Sequence, residues 1–311
     1  MMRILVLGAG AVGGYFGGRL AEAGADVTFL VRPGRARQLA ERGLVVRSKS
    51  GDIERPVPTV GRDAIPGPFD LVILTCKAYD LEDAMDAVAP AIGPQTAVLP
   101  LLNGLAHMEA LDARFGEARV LGGICHIGAT MTADGDIRHL TPLQVLTLGS
   151  RSGVTSPLCA AVADLLKAGP VKVVVSDGIM LNMWEKFVML ASMAAMTCLM
   201  RAAVGDIMET AEGEAITLET LDECVRVATA AGYVPRDKVL AQTRGLQTER
   251  GSTFSASMLR DIEKGGPVEG DHIVGDMLAR AGTLGVATPN LRLAHCHLQA
   301  YQARRARETR S

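Results

Sequence analysis

The chain has 311 residues, of which 48% are apolar and 21% charged, with a formal net charge of −2. That is the mix of a soluble globular protein long enough for two domains. The near-neutral balance gives no bulk electrostatic reason to bind nucleic acid or a membrane surface, and the basic end "RRARETR" reads as a solvated helix terminus.

"RILVLGAG" predicts a short buried strand running into a glycine turn, and "AVGGYFGGRLAEAG" a helix ending at Gly24. "DVTFLVR" predicts a second strand, "RARQLAERG" a second helix and "FDLVILTCKA" a further apolar strand. "DLEDAMDAVAPAI" predicts a helix that opens on acidic residues, followed by strands at "TAVLPLLNG" and "RVLGGICHIGAT". Strand and helix units alternating at this length imply a mostly parallel sheet with right-handed crossovers. "IRHLTP" and "VLTLGS" read as a terminal hairpin, and "SPLCAAVADLLKAG" with "VKVVVS" completes the domain. After Ser176 the pattern changes to long apolar-periodic segments punctuated by "VGD", "AAGYVP" and "KGGPVEG". The expected domains are therefore 1–176 and an all-helical 177–311.

Gly8, Gly10 and Gly13 form G-x-G-x-x-G between the first strand and the first helix. In that context the first glycine makes the tight turn, the second admits a pyrophosphate to the backbone, and the third lets helix and strand pack closely. The predicted fold class is thus α/β, a Rossmann-type doubly wound sheet with an all-helical C-terminal domain. The second strand ends in "FLVRPGR", with no acid to bond a ribose 2′-hydroxyl and with Arg32 and Arg35 present. An arginine fork holds a 2′-phosphate, so the expected cofactor is NADP (as NADPH); otherwise these are ordinary loop arginines.

Six cysteines lie scattered without CxxC spacing, which argues against a disulfide framework or a zinc site. "HCH" at 295–297 puts its histidines on different helix faces, so no metal site is expected. The N-terminal apolar run is broken by the purposeful glycine spacing, unlike a signal peptide, and the apolar stretch after Lys186 is shorter than the ~20 residues of a membrane helix. A cytoplasmic protein with no membrane partner is expected. Lys186 itself opens "WEKFVMLASMAAMTCLM" with no other charge besides Glu185 before Arg201. It either snorkels its ammonium to water along an apolar stem or serves a pocket that needs a cation.

"GAGAVGG", "LVILTCKAYD", "LLNGL", "WEKF" and "SMLRDIEKGGPVEGDHIVG" occur in the order seen in the ketopantoate reductase family, and the chain resembles that family from Gly8 to "GVATPN". The resemblance implies NADPH-dependent reduction of 2-dehydropantoate to pantoate, for pantothenate biosynthesis, by monomers or homodimers formed through the helical domain. It implies that Lys186 is the catalytic lysine and Glu269 the acid that orients substrate. By the same resemblance Ser257 contacts a substrate carboxylate, while Asn103 and Lys77 lie beside the nicotinamide and ribose. Each has a plainer reading: Glu269 as an exposed helix-start charge, Ser257 as a helix N-cap, Asn103 as a turn former, Lys77 as a strand-end surface charge. The chemistry independently suits Lys186, since hydride addition to a ketone builds negative charge on oxygen that needs a positioned donor or cation.

One departure stands out. Family members carry asparagines four and eight residues after the lysine, on the same helix face, to bond substrate hydroxyl and carbonyl groups. Here these positions are Leu190 and Ala194, which implies a substrate-binding surface suited to a less hydroxylated 2-keto or β-keto acid. A non-catalytic NADP-binding sensor is the remaining alternative, and a proton donor paired with an acid argues against it.

Overall fold

The structure, a computed structural model, describes residues 2–154, 156–167 and 169–309. It divides into two compact units, Met1–Leu102 with His107–Ile179, and Asn103–Ala106 with Met180–Ser311.

In the first unit the strands are β1 (Arg3–Leu7), β2 (Asp26–Leu30), β3 (Leu44–Arg47), β4 (Ile53–Arg55), β5 (Thr59–Val60), β6 (Leu71–Leu74), β7 (Ala97–Pro100), β8 (Gly122–Met131), β9 (Ile137–Gly149) and β10 (Lys172–Val175). One parallel sheet has the order β5-β2-β1-β6-β7. β1 is central, and Ile4, Leu5 and Val6 are fully buried, as a strand covered on both faces requires. The chain leaves β1 toward β2 on one side and later returns to β6 on the other. The carboxyl ends of β1 and β6 therefore flank the switch point at which doubly wound sheets bind ligands.

Helix α1 (Ala11–Glu22) follows β1, α2 (Pro33–Arg42) follows β2, and α3 (Leu81–Val88) crosses from β6 to β7. A second sheet, β10-β9-β3-β4 with β8 on β9, lies on the other side of α1. The helix fits because it is narrow: a Cβ on Gly17 would lie 2.7 Å from the Phe29 ring, and one on Gly18 2.9 Å from Leu44. The phenol of Tyr15 bonds Gln144, whose amide donates to Ser50 Oγ at 2.7 Å, tying α1 to this sheet.

Two expectations change here. The reading of one sheet becomes two, because the short strands β3 and β4 join β8, β9 and β10 in a layer of their own. The hairpin expected within 137–150 is instead one strand, β9, paired antiparallel to β8 from Gly122↔Gly149 to Met131↔Ile137. "LTPL" resembles a turn, but proline, which has no N–H, is tolerated where a ladder is interrupted. Leu140–Leu143 fall in the register shift opposite Gly128, and Thr141 Oγ1 accepts the Gly128 N–H at 3.2 Å. Two further helices, α4 (Ala106–Phe115) and α5 (Pro157–Leu166), complete the run, α4 beginning where the chain leaves the second unit.

The second unit consists of helices joined by turns, with no strand among its described residues: α6 (Ile179–Met200), α7 (Val204–Met208), α8 (Gly213–Ala230), α9 (Asp237–Gln247), α10 (Ser257–Glu263), a π-helical turn at Asp271–Gly275, α11 (Asp276–Thr283) and α12 (Pro289–Glu308). Helices α8, α11 and α12 pack together through Leu221, Cys224, Met277, Leu291 and Leu298. The buried Glu223 accepts the Asn290 and Leu291 backbone N–H groups, each at 3.0 Å, and so satisfies donors that the start of α12 leaves open. Helix α6 begins before the apolar run and reaches 22 residues, long and apolar enough to cross a membrane. Its most apolar stretch is 72% buried, the condition of a core helix. Buried Glu185 on α6 accepts the backbone N–H and both guanidinium arms of Arg236, fixing the loop before α9.

Candidate active site

The glycine turn of the first unit has the shape its sequence implies. Gly8 holds φ +92°, the left-handed region that favours glycine. A Cβ at Gly13 would fall 2.2 Å from the Gly8 carbonyl oxygen and 2.3 Å from Thr75 Oγ1, so only glycine lets α1 start this close to β1. Thr75, at the end of β6, locks the turn from the other side by donating to the Leu7 carbonyl at 2.7 Å. A Cβ at Gly10 would meet nothing within 4 Å. The turn thus presents open backbone at a helix N-terminus, the arrangement that receives a pyrophosphate, and these residues fit a dinucleotide.

Arg32 caps the start of α2 and is largely exposed. Its guanidinium bonds Asp80 at 3.1 Å and lies 3.7 Å from Asp83, which raises its pKa further through the Asp80 contact. Lys77 is exposed just beyond β6, at the head of the short turn carrying Asp80. Arg32 therefore joins the end of β2 to the Lys77–Asp80 turn, bringing two expected cofactor residues to neighbouring loops. Arg35 donates from Nε to the Ala9 carbonyl at 3.0 Å, beside the glycines, and burial lowers its pKa. Its Nη2 is buried without a hydrogen-bond partner among the described residues.

In the second unit, the Lys186 ammonium donates to Asn103 Oδ1 at 3.0 Å. Asn103 and Gly104 come from the loop after β7, which belongs to this unit. His272 on the π-helical turn hydrogen-bonds the Asn103 backbone, and the charges of Glu269 and Asp276 act on its ring. Desolvation outweighs those charges and holds the imidazole below its ordinary pKa. Gly104, at φ +82°, is pressed against this histidine: a Cβ there would lie 3.1 Å from the His272 carbonyl oxygen and 3.3 Å from its ring. Glu269 is buried at 9% exposure, just before the π turn, and its carbonyl accepts the Ile273 N–H at 3.0 Å. The plainer reading of Glu269 as an exposed charge is excluded.

Lys186 bonds Asn103 directly, while His272, which the sequence reading passed over, bonds the Asn103 backbone and feels the charge of Glu269. The signal was present in "EGDHIVG", where a histidine follows the acid by three residues. Its partner, however, is a loop far upstream that sequence alone does not bring near. Ser257 is exposed at the first position of α10, and Ala256 precedes it as the cap. Its hydroxyl makes no hydrogen bond among the described residues, so the N-cap reading fails. Leu190 is half-buried and Ala194 only 3% exposed. No cluster of metal-ligating side chains occurs among the described residues.

The family description "Ketopantoate reductase PanE/ApbA" matches residues 4–153, and its C-terminal counterpart matches residues 178–302. The uncharacterized oxidoreductase YkpB of Bacillus subtilis (strain 168) is 36% identical over 303 residues, covering 97% of this chain and 99% of that one. The 2-dehydropantoate 2-reductase of Halobacterium salinarum is 30% identical over 296 residues, covering 94% and 96%. Among solved structures, a PanE/ApbA family ketopantoate reductase from Ralstonia eutropha JMP134 superposes with a TM-score of 0.88 at 26% identity, covering 98% of this chain and 100% of that one.

Proposed function

This chain belongs to the ketopantoate reductase family, and from that premise we propose that it reduces the ketone of a 2-keto acid with NADPH, 2-dehydropantoate being the first substrate to consider. It is an oxidoreductase; the proposal concerns its cofactor, its substrate and the roles of its residues. The observation that carries it is the Lys186 ammonium held on Asn103, since a snorkelling lysine has no need of a side-chain acceptor.

A bound nicotinamide supplies hydride to the carbonyl carbon. Lys186 gives its proton to the carbonyl oxygen as negative charge develops there, leaving a hydroxyl on the product and a neutral amine on the lysine. Asn103 keeps the ammonium from rotating away. Glu269, buried and ahead of the π turn, bonds the new hydroxyl and favours reprotonation of the amine. Ser257 contacts the substrate carboxylate. Gly8, Gly10 and Gly13 admit the pyrophosphate, Lys77 and Asn103 serve the ribose and nicotinamide, and Arg32 holds the 2′-phosphate. In this reading residues 1–176 bind NADPH, and 177–311 bind substrate and form a homodimer, in the cytoplasm and in service of pantothenate biosynthesis.

A second reading of the substrate rests on Leu190 and Ala194: Leu190 gives α6 a half-buried apolar side chain one turn beyond Lys186, and Ala194, 3% exposed, packs a turn further on. An apolar surface accepts methylene groups and cannot orient hydroxyls, so it favours a less hydroxylated keto acid. One experiment tests both: NADPH oxidation with a panel of 2-keto and β-keto acids. Turnover of at least one supports the reductase. Highest kcat/KM for 2-dehydropantoate selects the plain family activity, and highest kcat/KM for an alkyl keto acid selects the second reading. Tight NADPH binding without turnover of any would contradict both and leave a cofactor-binding sensor.

A further inference from the structure

The loop that carries Asn103 has a second attachment, and it lies outside the machinery assigned so far. Asn103 is held at two points: its side-chain oxygen by Lys186, and its backbone by the His272 ring. Gly104 adds a third restraint by packing directly on that ring and on the His272 carbonyl. His272 is itself firmly placed. Its π-helical turn begins at Asp271, which bonds His295 Nε2 at 2.8 Å and Gln299 at 3.5 Å from α12. At the far end of the turn, a Cβ on Gly275 would lie 2.7 Å from the same His295 nitrogen, so the turn and α12 are in close contact. A π turn inside a helical run is uncommon and occurs often at functional sites.

We propose that His272 is a positioning residue of the reductase site: its imidazole fixes the Asn103–Gly104 turn, and through it the amide oxygen that aims the Lys186 ammonium. The inference rests on the reading of Lys186 as proton donor. The chemistry suits a neutral ring. A neutral imidazole N–H still holds a backbone carbonyl, though less strongly than an imidazolium would, and it places no second positive charge near the lysine, where one would favour loss of the proton that the reaction needs. Without that bond the turn keeps only its Lys186 contact and the packing of Gly104, and the ammonium loses part of the fixed reference that sets its direction.

The test compares His272→Leu, His272→Asn, His272→Gln and Lys186→Ala with the wild-type protein. The readouts are kcat and KM for the best keto acid of the panel, NADPH affinity by fluorescence titration, and folding by circular dichroism. His272→Leu should lower kcat about 10- to 100-fold, as misplacement by about an ångström does, with KM and NADPH affinity within about 3-fold of wild type. At least one amide variant should recover kcat, since Asn and Gln keep an N–H donor at the reach of one ring nitrogen or the other. Wild-type kcat in His272→Leu, alongside a large loss in Lys186→Ala, overturns the positioning role and leaves the reductase reading standing. Full turnover in Lys186→Ala, or none in the wild type, overturns both. Should the leucine variant fail to fold, the amide variants decide: near-normal kcat in one supports the role, and loss in both with native NADPH affinity overturns it.

Discussion

Lys186 is the one cation of an otherwise apolar helix whose only acid, Glu185, is taken up by Arg236, and its meaning depends on what its nitrogen touches. A lysine that snorkels ends in water, whereas this one ends on Asn103. Lys186→Ala should therefore lower kcat by roughly 10²–10⁴-fold, the usual worth of a general acid, with NADPH affinity little changed. Near-normal steady-state turnover in that variant would return the lysine to a solvating role. Arg32 poses the opposite problem, because it already has a partner. Its pair with Asp80 is exposed, and such pairs are worth only about 0–1 kcal/mol, so a 2′-phosphate can displace the carboxylate. Arg32→Ala should weaken NADPH binding and leave NADH binding almost unchanged in paired titrations; equal losses would mean that the arginine only supports its loop. His272 has a measurable consequence of its own. Burial lowers its folded pKa, so folding favours the neutral ring. That contribution is present above the unfolded value of about 6.5 and is lost as pH falls below it. Thermal unfolding followed from pH 7.5 to 5 should thus lose less stability in His272→Leu than in wild type.

Helix α1 is the element in which sequence and function coincide most closely. Gly10 and Gly13 look alike in the motif, yet the structure separates them. Gly10→Ala adds a methyl to open space, so the protein should keep its melting temperature while NADPH binding falls sharply. Gly13→Ala drives a methyl into the Gly8 carbonyl and Thr75, so it should lose about 1–3 kcal/mol of stability as well, as overpacking does. Calorimetry and NADPH titration on the pair check this, and equal melting temperatures would contradict it. This turn was legible in the sequence because every contact that defines it is local or lies on an adjacent parallel strand. The second sheet was not. β3 and β4 are four and three residues long, too short for alternation to show, and Thr141-Pro142 has the composition of a turn inside a continuous strand. The cluster on Lys186 was legible only in part. Lys186, Glu269 and Asn103 have informative neighbours in sequence, but His272 gains its role from a loop that belongs to the same unit only after folding.

At the scale of the whole molecule, the cysteines report on how the chain is packed. Cys125, Cys159, Cys198 and Cys224 are buried, and Cys296 is exposed. Desolvation pushes the Cys198 thiol up to about 12 and the Cys224 thiol higher still, so neither forms a thiolate at neutral pH. A thiol reagent on the native protein should modify Cys296 first and leave Cys198 and Cys224 intact until the protein unfolds, which peptide mass mapping reads directly. The glycine turn and Arg32 belong to the first unit, and Lys186, Asn103, His272 and Glu269 to the second. The central claim is the one we propose: a keto acid takes hydride from a nicotinamide cofactor and its proton from Lys186. The most direct measurement uses NADPH carrying deuterium at the transferable C4 position, with the best keto acid of the panel, and locates the label in the product by NMR. The account predicts deuterium on the new carbinol carbon in the wild-type protein and none above background with Lys186→Ala over the same interval. An unlabelled product, or equal label from the lysine variant, would contradict it.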